Sequence, residues 1–358
     1  MMGLQDSIFS IKPDTPMLLL YDFLAVRGGA ERVLLAMYQA FDSHVCVGFV
    51  SRDSFGNDIK DQDLIDLGAD SRFAPLRIAR VLWAFCRARK IAAQYQTRIY
   101  AGSYSVLAFS PDHHGQSVYY CHTPPRFLYD LREKYMSETP VWQRPFLALL
   151  RWWLQPRYEA AVRSMDRVIA NSENVRQRLK RYIGVDAEVV HPPVDTGLFK
   201  WKDEGDYFLS TARLEPLKRV DRIIQAFLEM PDQQLVVTSG GSEVARLRAM
   251  AGNASNIRFT GWLSDPELID LMGYARATVY VPVDEDFGIS PVESMAAGKP
   301  VIGVAEGGLL ETVIHEKTGI LLPPDFTNAD LRAAVKKMTR QQVSVMRQSC
   351  EDQAECII

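Results

Sequence analysis

Cysteine is scarce in this 358-residue chain and shows no ordered spacing. Cys46, Cys86, Cys121, Cys350 and Cys356 form no CxxC pair and no metal-ligand pattern. An odd, scattered set reads as reduced thiols of a cytosolic protein. No stretch approaches the roughly 20 apolar residues needed to span a bilayer. The first residues carry acids and two prolines before the short run Met17–Leu20, so no secretion signal is expected. GxGxxG is absent, which leaves a dinucleotide site unsupported. His113 and His114 are adjacent, point in different directions and lack a partner at ligand spacing, so neither a metal site nor a cofactor is expected. Charge of one sign is also missing, because the net is only −3. With no recognised binding motif either, nucleic acid is not an expected partner.

What is present suits a packed soluble protein, with 47% hydrophobic residues. The length exceeds what one core usually serves, so two domains are expected. Residues 1–190 carry 24 Lys+Arg against 20 Asp+Glu, and residues 191–358 carry 17 against 24. Short apolar runs read as strands at Met17–Tyr21, Val45–Val50, Ser105–Phe109, Ser117–Cys121, Val168–Ala170 and Glu188–Val190. Helical patterns lie between them, notably Ala30–Phe41, Ile78–Tyr95 and Glu173–Tyr182. The pattern restarts with strands at Tyr207–Thr211, Gln234–Thr238, Ile257–Phe259, Ala277–Val281 and Pro300–Val304, and ends in one helix, about Asn328–Ser349. Strands alternating with helices predict an α/β fold with mainly parallel sheets covered on both faces. Two prolines near His191–Asp195 interrupt the periodicity, placing domains at 1–190 and 191–335, with a terminal helical segment at 336–358.

Several stretches carry chemistry. Arg213 and Lys218 follow the strand Tyr207–Thr211, and cations at strand ends of open α/β sheets suit a diphosphate. Solvated surface charge is the plainer alternative, and Arg219 and Arg222 are read that way. Asp284-Glu-Asp-Phe-Gly-Ile-Ser-Pro-Val-Glu293 gathers acids, a glycine and a helix start, whose free N–H groups can hold hydroxyls or an anion. Ser290-Pro-Val-Glu293 also reads as a helix cap, with Ser290 at the cap and Glu293 at the third helical position. Gly28-Gly29 leads into the helix Ala30–Phe41 and Gly240-Gly241 ends a strand; glycine lets backbone approach a ligand closely, and a tight strand-to-helix turn is the plainer alternative for the first pair. His122, in Tyr120-Cys-His-Thr-Pro-Pro-Arg126, has an ordinary pKa near 6.5 and suits hydrogen bonding or proton shuttling at neutral pH. A structural histidine is the alternative. Asn171-Ser172 reads as a helix cap. Segments 77–98 and 144–163 place arginines around tryptophans, as either ordinary helix packing or contact with anionic lipid.

The run from Asp284 to Ile302, with Arg213, Lys218 and Cys121-His-Thr-Pro124, resembles retaining glycosyltransferases of family 4. The resemblance covers nearly the whole chain, most closely over Ser210–Thr312 and Tyr120–Arg126, and loosely over Ser51–Ile99. It implies a GT-B fold, two facing Rossmann-like domains with a cleft between them, the first for acceptor and the second for nucleotide-sugar. In that family the terminal helix packs back on the first domain. The resemblance implies that Arg213 and Lys218 clamp the donor phosphates. It also implies that Glu285 sits by the donor sugar and that Glu293 binds the ribose. Backbone from Phe287 through Gly288 and Ile289 to Ser290 would receive sugar hydroxyls. Gly28, Gly29, Gly240 and Gly241 would lie near the donor, His122 at the reaction centre, and Arg126 on the acceptor side.

The Cys-His-Thr-Pro run is similar to mannosyltransferases of bacterial surface-polysaccharide assembly. This makes GDP-mannose the first donor expected, with a saccharide or lipid-linked saccharide as acceptor. A cytoplasmic protein, peripheral on the inner membrane face through 77–98 and 144–163, is the matching location. UDP-glucose or UDP-galactose transfer, a sucrose-type synthase, and a non-catalytic binding protein on the same fold are the alternatives.

Overall fold

The computed structural model describes residues 16–26, 28–51, 55 and 58–357. The chain divides into two compact units on either side of Pro193. The first is built on a seven-stranded sheet: β1 (Met17–Tyr21), β2 (Ser43–Val47), β3 (Leu64–Asp66), β4 (Thr97–Tyr100), β5 (Gln116–Cys121), β6 (Arg167–Ala170) and β7 (Glu188–Val189). Every pairing is parallel, in the order β3-β2-β1-β4-β5-β6-β7. The second unit repeats the plan with six parallel strands: β8 (Tyr207–Ser210), β9 (Gln234–Thr238), β10 (Ile257–Gly261), β11 (Ala277–Val279), β12 (Val301–Val304) and β13 (Gly319–Leu322). Their order is β10-β9-β8-β11-β12-β13. In each sheet the order reverses once, between β1 and β4 and between β8 and β11. Loops leaving adjacent strands diverge there and open a crevice at the strand carboxyl ends.

The expected α/β class with parallel sheets is what the chain adopts, and several local readings change. Ser105–Phe109 is not a strand: Ser105–Ala108 is one tight 3-10 turn. The strand lies earlier, at Thr97–Tyr100, with every residue buried. A charge hid it. Arg98 is 1% exposed, and its guanidinium donates to the Tyr95 and His114 carbonyls at 2.9 Å. The helix before it starts at Ala74, with Pro75 in the first turn where no intrahelical acceptor is lost. The cap read at Asn171-Ser172 forms: the Ser172 hydroxyl accepts from Val175 N–H at 3.0 Å, and Gly184 ends the helix left-handed. The terminal helix is two helices, Asn328–Lys337 and Arg340–Ile357. Thr339 separates them, its hydroxyl accepting from Gln342 N–H at 3.2 Å. Val343, Met346, Cys350 and Ala354 of the last helix join the second unit's core. Among the described residues no helix is long and apolar enough to cross a membrane.

Candidate active site

The second unit places its chemistry at the reversal between β8 and β11. Lys218 ends a short turn after β8, and Glu285 lies in the loop that follows β11. Their charged atoms meet at 2.6 Å, with both side chains about four-fifths buried (19% and 17% exposed). Lys218 also donates to the Tyr280 hydroxyl at 3.2 Å. Burial alone would pull the Lys218 pKa down, but Tyr280 and Glu285 outweigh it and hold the ammonium charged, above its ordinary value. The Tyr280 phenol is pushed up, by burial first and then by Glu285, and stays protonated. Arg213 stands five residues earlier with an exposed side chain. The second unit thus carries one buried, paired cation and one exposed cation in the loop that leaves β8.

Two glycine loops shape this edge. Gly307 has φ +61°, and a Cβ there would lie 2.4 Å from the Glu285 carbonyl oxygen. Gly308 donates to that oxygen at 2.7 Å, and a Cβ on it would sit 2.5 Å from Phe287 Cα. The Glu285–Phe287 backbone is thereby seated on glycine. Gly240 accepts from Leu214 N–H at 2.9 Å, and a Cβ on Gly241 would meet the Leu214 carbonyl at 2.3 Å. Those contacts join the exits of β8 and β9 at Leu214, the residue after Arg213. Trp262, exposed, packs its indole nitrogen where a Gly240 side chain would go.

Arg219, read from sequence as a surface residue, is an internal strut. Its φ is +50°, and its guanidinium donates to Val281 O at 2.6 Å and Pro282 O at 2.5 Å while pairing with Glu306. These partners lie more than 60 positions downstream, where no local pattern reveals them. Arg222 is exposed, as read. The Ser290 cap also needs correction. The helix begins at Ile289 with Gly288 as its cap, at φ +95°, and no side chain caps it. Only glycine takes that turn without strain, so the helix starts two residues early and Ser290 lies inside it. Pro291 falls at the third position, still among the N–H groups that lack helical acceptors. Glu293 moves to the second turn, 2% exposed. Phe287 is in the core, which leaves its backbone as the part facing the loop.

The first unit places His122 directly after β5 and Gly28-Gly29 at the start of the helix Gly29–Ala40 after β1. His122 packs edge-on against Tyr120 and Tyr21, with ring centroids 5.1 and 6.2 Å away. Its Nε2 is buried without a hydrogen-bond partner among the described residues. Burial pushes its pKa down to about 4, so the expected titration near neutral pH does not occur and the ring is neutral. A neutral imidazole with an unused buried nitrogen can bind a hydroxyl, which suits it better than proton shuttling. Arg126 pairs with Asp130 at 2.6 Å.

Asp22, missed in the sequence, organises this end of the sheet. It follows β1 and accepts from the backbone N–H groups of Ser103, Tyr104 and Ser105 at 2.7, 2.7 and 2.8 Å. Burial, outweighing those three bonds, pushes its pKa up to about 6. Beside it, the Tyr21 hydroxyl donates to Glu31 at 2.9 Å. A carboxylate ending an apolar strand was the available signal. Asp22→Ala is expected to destabilise the first unit by about 3 kcal/mol, since each buried N–H left unmade costs ~1–3 kcal/mol and the loop relaxes in part. Urea unfolding checks this; a loss below about 1 kcal/mol would show that the three N–H groups find water.

Residues 27–198 match the family model Glycosyltransferase Family 4, and residues 199–355 match Glycosyl transferases group 1. Over 198 residues the chain is 29% identical to the D-inositol 3-phosphate glycosyltransferase of Jonesia denitrificans, covering 46% of this chain and 47% of that one. Over 249 residues it is 26% identical to alpha-1,3/1,6-mannosyltransferase ALG2 of Saccharomyces cerevisiae, covering 55% and 47%. The chain spans about half the length of the curated relatives it matches. The crystal structure of Anabaena HepE in complex with UDP shares the fold, with a TM-score of 0.69 at 17% identity over 96% of this chain and 97% of that one. The relatives span several kinds of sugar transfer and single out no one sugar. Two parallel-sheet units with these matches over 27–355 place the chain in the GT4/GT1 superfamily of glycosyltransferases with a GT-B-type fold.

Proposed function

We propose that this protein transfers a hexose from a nucleotide-sugar to a hydroxyl of a saccharide or lipid-linked saccharide, with retention at the anomeric carbon. The observation that carries the reading is the Lys218–Glu285 pair, 2.6 Å apart at the β8/β11 reversal, with Arg213 exposed in the same loop after β8. In the proposed reaction the bond from the anomeric carbon to the diphosphate breaks, and its electron pair goes to the phosphate oxygen. Arg213 and Lys218 neutralise that charge. The acceptor oxygen bonds to the same face of the carbon and passes its proton to the departing phosphate. No step draws on a carboxylate nucleophile. Glu285 holds Lys218 and lies by the sugar, Gly307 and Gly308 seat the Glu285–Phe287 backbone, the Phe287–Ser290 backbone receives hydroxyls, and Glu293 binds the ribose. Gly28, Gly29, Gly240 and Gly241 admit the donor's backbone contacts, neutral His122 binds a sugar hydroxyl, and Arg126 with Asp130 borders the acceptor.

Mannose from GDP-mannose is the preferred donor, supported by the Cys121-His-Thr-Pro124 run and by the likeness to a mannosyltransferase. UDP-sugars form the second reading. Titrating GDP, UDP and ADP into the protein by calorimetry in EDTA decides between them. Selective GDP binding, weakened by Arg213→Ala, is expected. Selective UDP binding would replace the mannose assignment, and no binding at all would remove the enzyme reading.

A further inference from the structure

A second cluster of cations lies in the first unit, apart from the residues assigned to the proposed reaction and partly within segment 144–163. A cavity of about 910 Å³ opens between the helices Arg132–Glu138 and Arg144–Ser164. Arg132, Arg144 and Arg151 line it, with Met136 and Trp152, and Glu133 is its only carboxylate among the described residues. Arg144 is committed locally, donating to the Thr139 and Ser137 carbonyls at 3.1 and 3.2 Å. Arg151 is different. It is 7% exposed, its Nε is buried without a partner, and no carboxylate pairs with it among the described residues. Burial first, and then Arg132, pull its pKa down.

A guanidinium whose Nε is buried and unpaired beside two others is costly, and an entering anion offsets that cost. Guanidinium forks bind phosphate oxygens bidentately, and three of them at one pocket supply the charge that a phosphate or diphosphate carries. We propose that this pocket binds a phosphate or diphosphate group of the acceptor. Only the word acceptor rests on the glycosyltransferase reading; the anion chemistry does not. Topology agrees, because the chain leaves β5 at Cys121 and returns to β6 at Arg167, so the first half of the Arg144–Ser164 helix lies at the carboxyl end of the sheet. Trp152, 74% exposed at the pocket, and Leu149 one turn before it offer apolar surface to a ligand carrying a hydrocarbon chain.

Inorganic pyrophosphate is the first probe, titrated calorimetrically into the full chain carrying Arg213→Ala and Lys218→Ala, which together remove both cations of the other candidate phosphate site. Arg132→Gln and Arg151→Gln are each expected to weaken the remaining binding at least tenfold. Arg132 is exposed, so its variant keeps the test decisive even if Arg151→Gln folds poorly. Pyrophosphate affinity unchanged by Arg132→Gln, or no remaining binding at all, overturns the proposal. Farnesyl diphosphate then separates the sources. Tighter binding than pyrophosphate, with the excess removed by Trp152→Ala, identifies a lipid-borne diphosphate; equal binding insensitive to Trp152→Ala identifies a phosphorylated saccharide. Nucleoside diphosphate binding that is lost in Lys218→Ala and kept in Arg132→Gln, measured separately, tests the enzyme reading without touching this one.

Discussion

Lys218→Ala is expected to weaken nucleoside diphosphate binding about a hundredfold or more and to reduce sugar transfer below detection. The size follows from where the ammonium sits. Lys218 is four-fifths buried against Glu285 and Tyr280, so its removal takes a cation from the site and leaves a carboxylate behind. Breaking a buried pair by deleting one partner costs roughly 3–5 kcal/mol, because the remaining charge loses its counter-ion. That carboxylate would then repel an entering diphosphate. Lys218→Ala with Glu285→Ala separates the two effects. If deletion of Glu285 restores much of the nucleotide affinity lost in Lys218→Ala, repulsion carried the loss; if not, the ammonium itself bound phosphate. Affinity within threefold of the parent in Lys218→Ala would remove Lys218 from the phosphate site altogether. Arg213→Ala should do less, about tenfold, since an exposed cation is partly screened by water.

Gly307→Ala is the second large effect, and it acts without removing any functional atom. At φ +61° a side chain is strained, and the added Cβ would lie 2.4 and 2.6 Å from the backbone oxygen and nitrogen of Glu285. Backbone cannot turn aside as a flexible side chain can. The Glu285–Phe287 segment would have to move by several tenths of an ångström or more, carrying the Glu285 carboxylate away from Lys218. Forced overpacking costs about 1–3 kcal/mol, and the left-handed strain adds about 1 kcal/mol or more. A fall in melting temperature together with at least a tenfold loss of nucleotide affinity is expected. Full affinity with lowered stability would mean that Glu285 is not seated by this loop. Gly240→Ala is a useful contrast, because its Cβ meets the side chain of Trp262, which can rotate. Its effect should be smaller.

Much of this architecture was legible because it rests on local patterns. Apolar runs of four or five residues at β1, β5, β8, β9 and β12 announce buried parallel strands, and the intervening periodicity announces helices. Where the pattern was broken by a buried charge, as by Arg98 in β4, the strand was missed. Where a run was apolar but too tightly turned, as at Ser105–Ala108, it was mistaken for one. The Ser290 cap failed for a related reason: a serine followed by proline and glutamate fits a capping box, but Gly288 offered the helix an earlier start. Local chemistry permitted both, and the chain takes the start behind the left-handed turn at Gly288.

The site divides in the same way. Arg213, Lys218, Glu285 and the glycine pairs stood out as residue types at strand ends, and that much belongs to the sequence by itself. The pairing of Lys218 with Glu285, 67 positions apart, does not. Nor do the strut made by Arg219, the three N–H groups gathered by Asp22, the neutral state of His122, or the unpaired Arg151. Each depends on which groups the parallel sheets bring side by side at their carboxyl ends and on how much water remains there. Strand order and burial are properties of the folded chain. Sequence alone determined which chemistries were available, and the tertiary structure decided which of them are paired, desolvated and held in place.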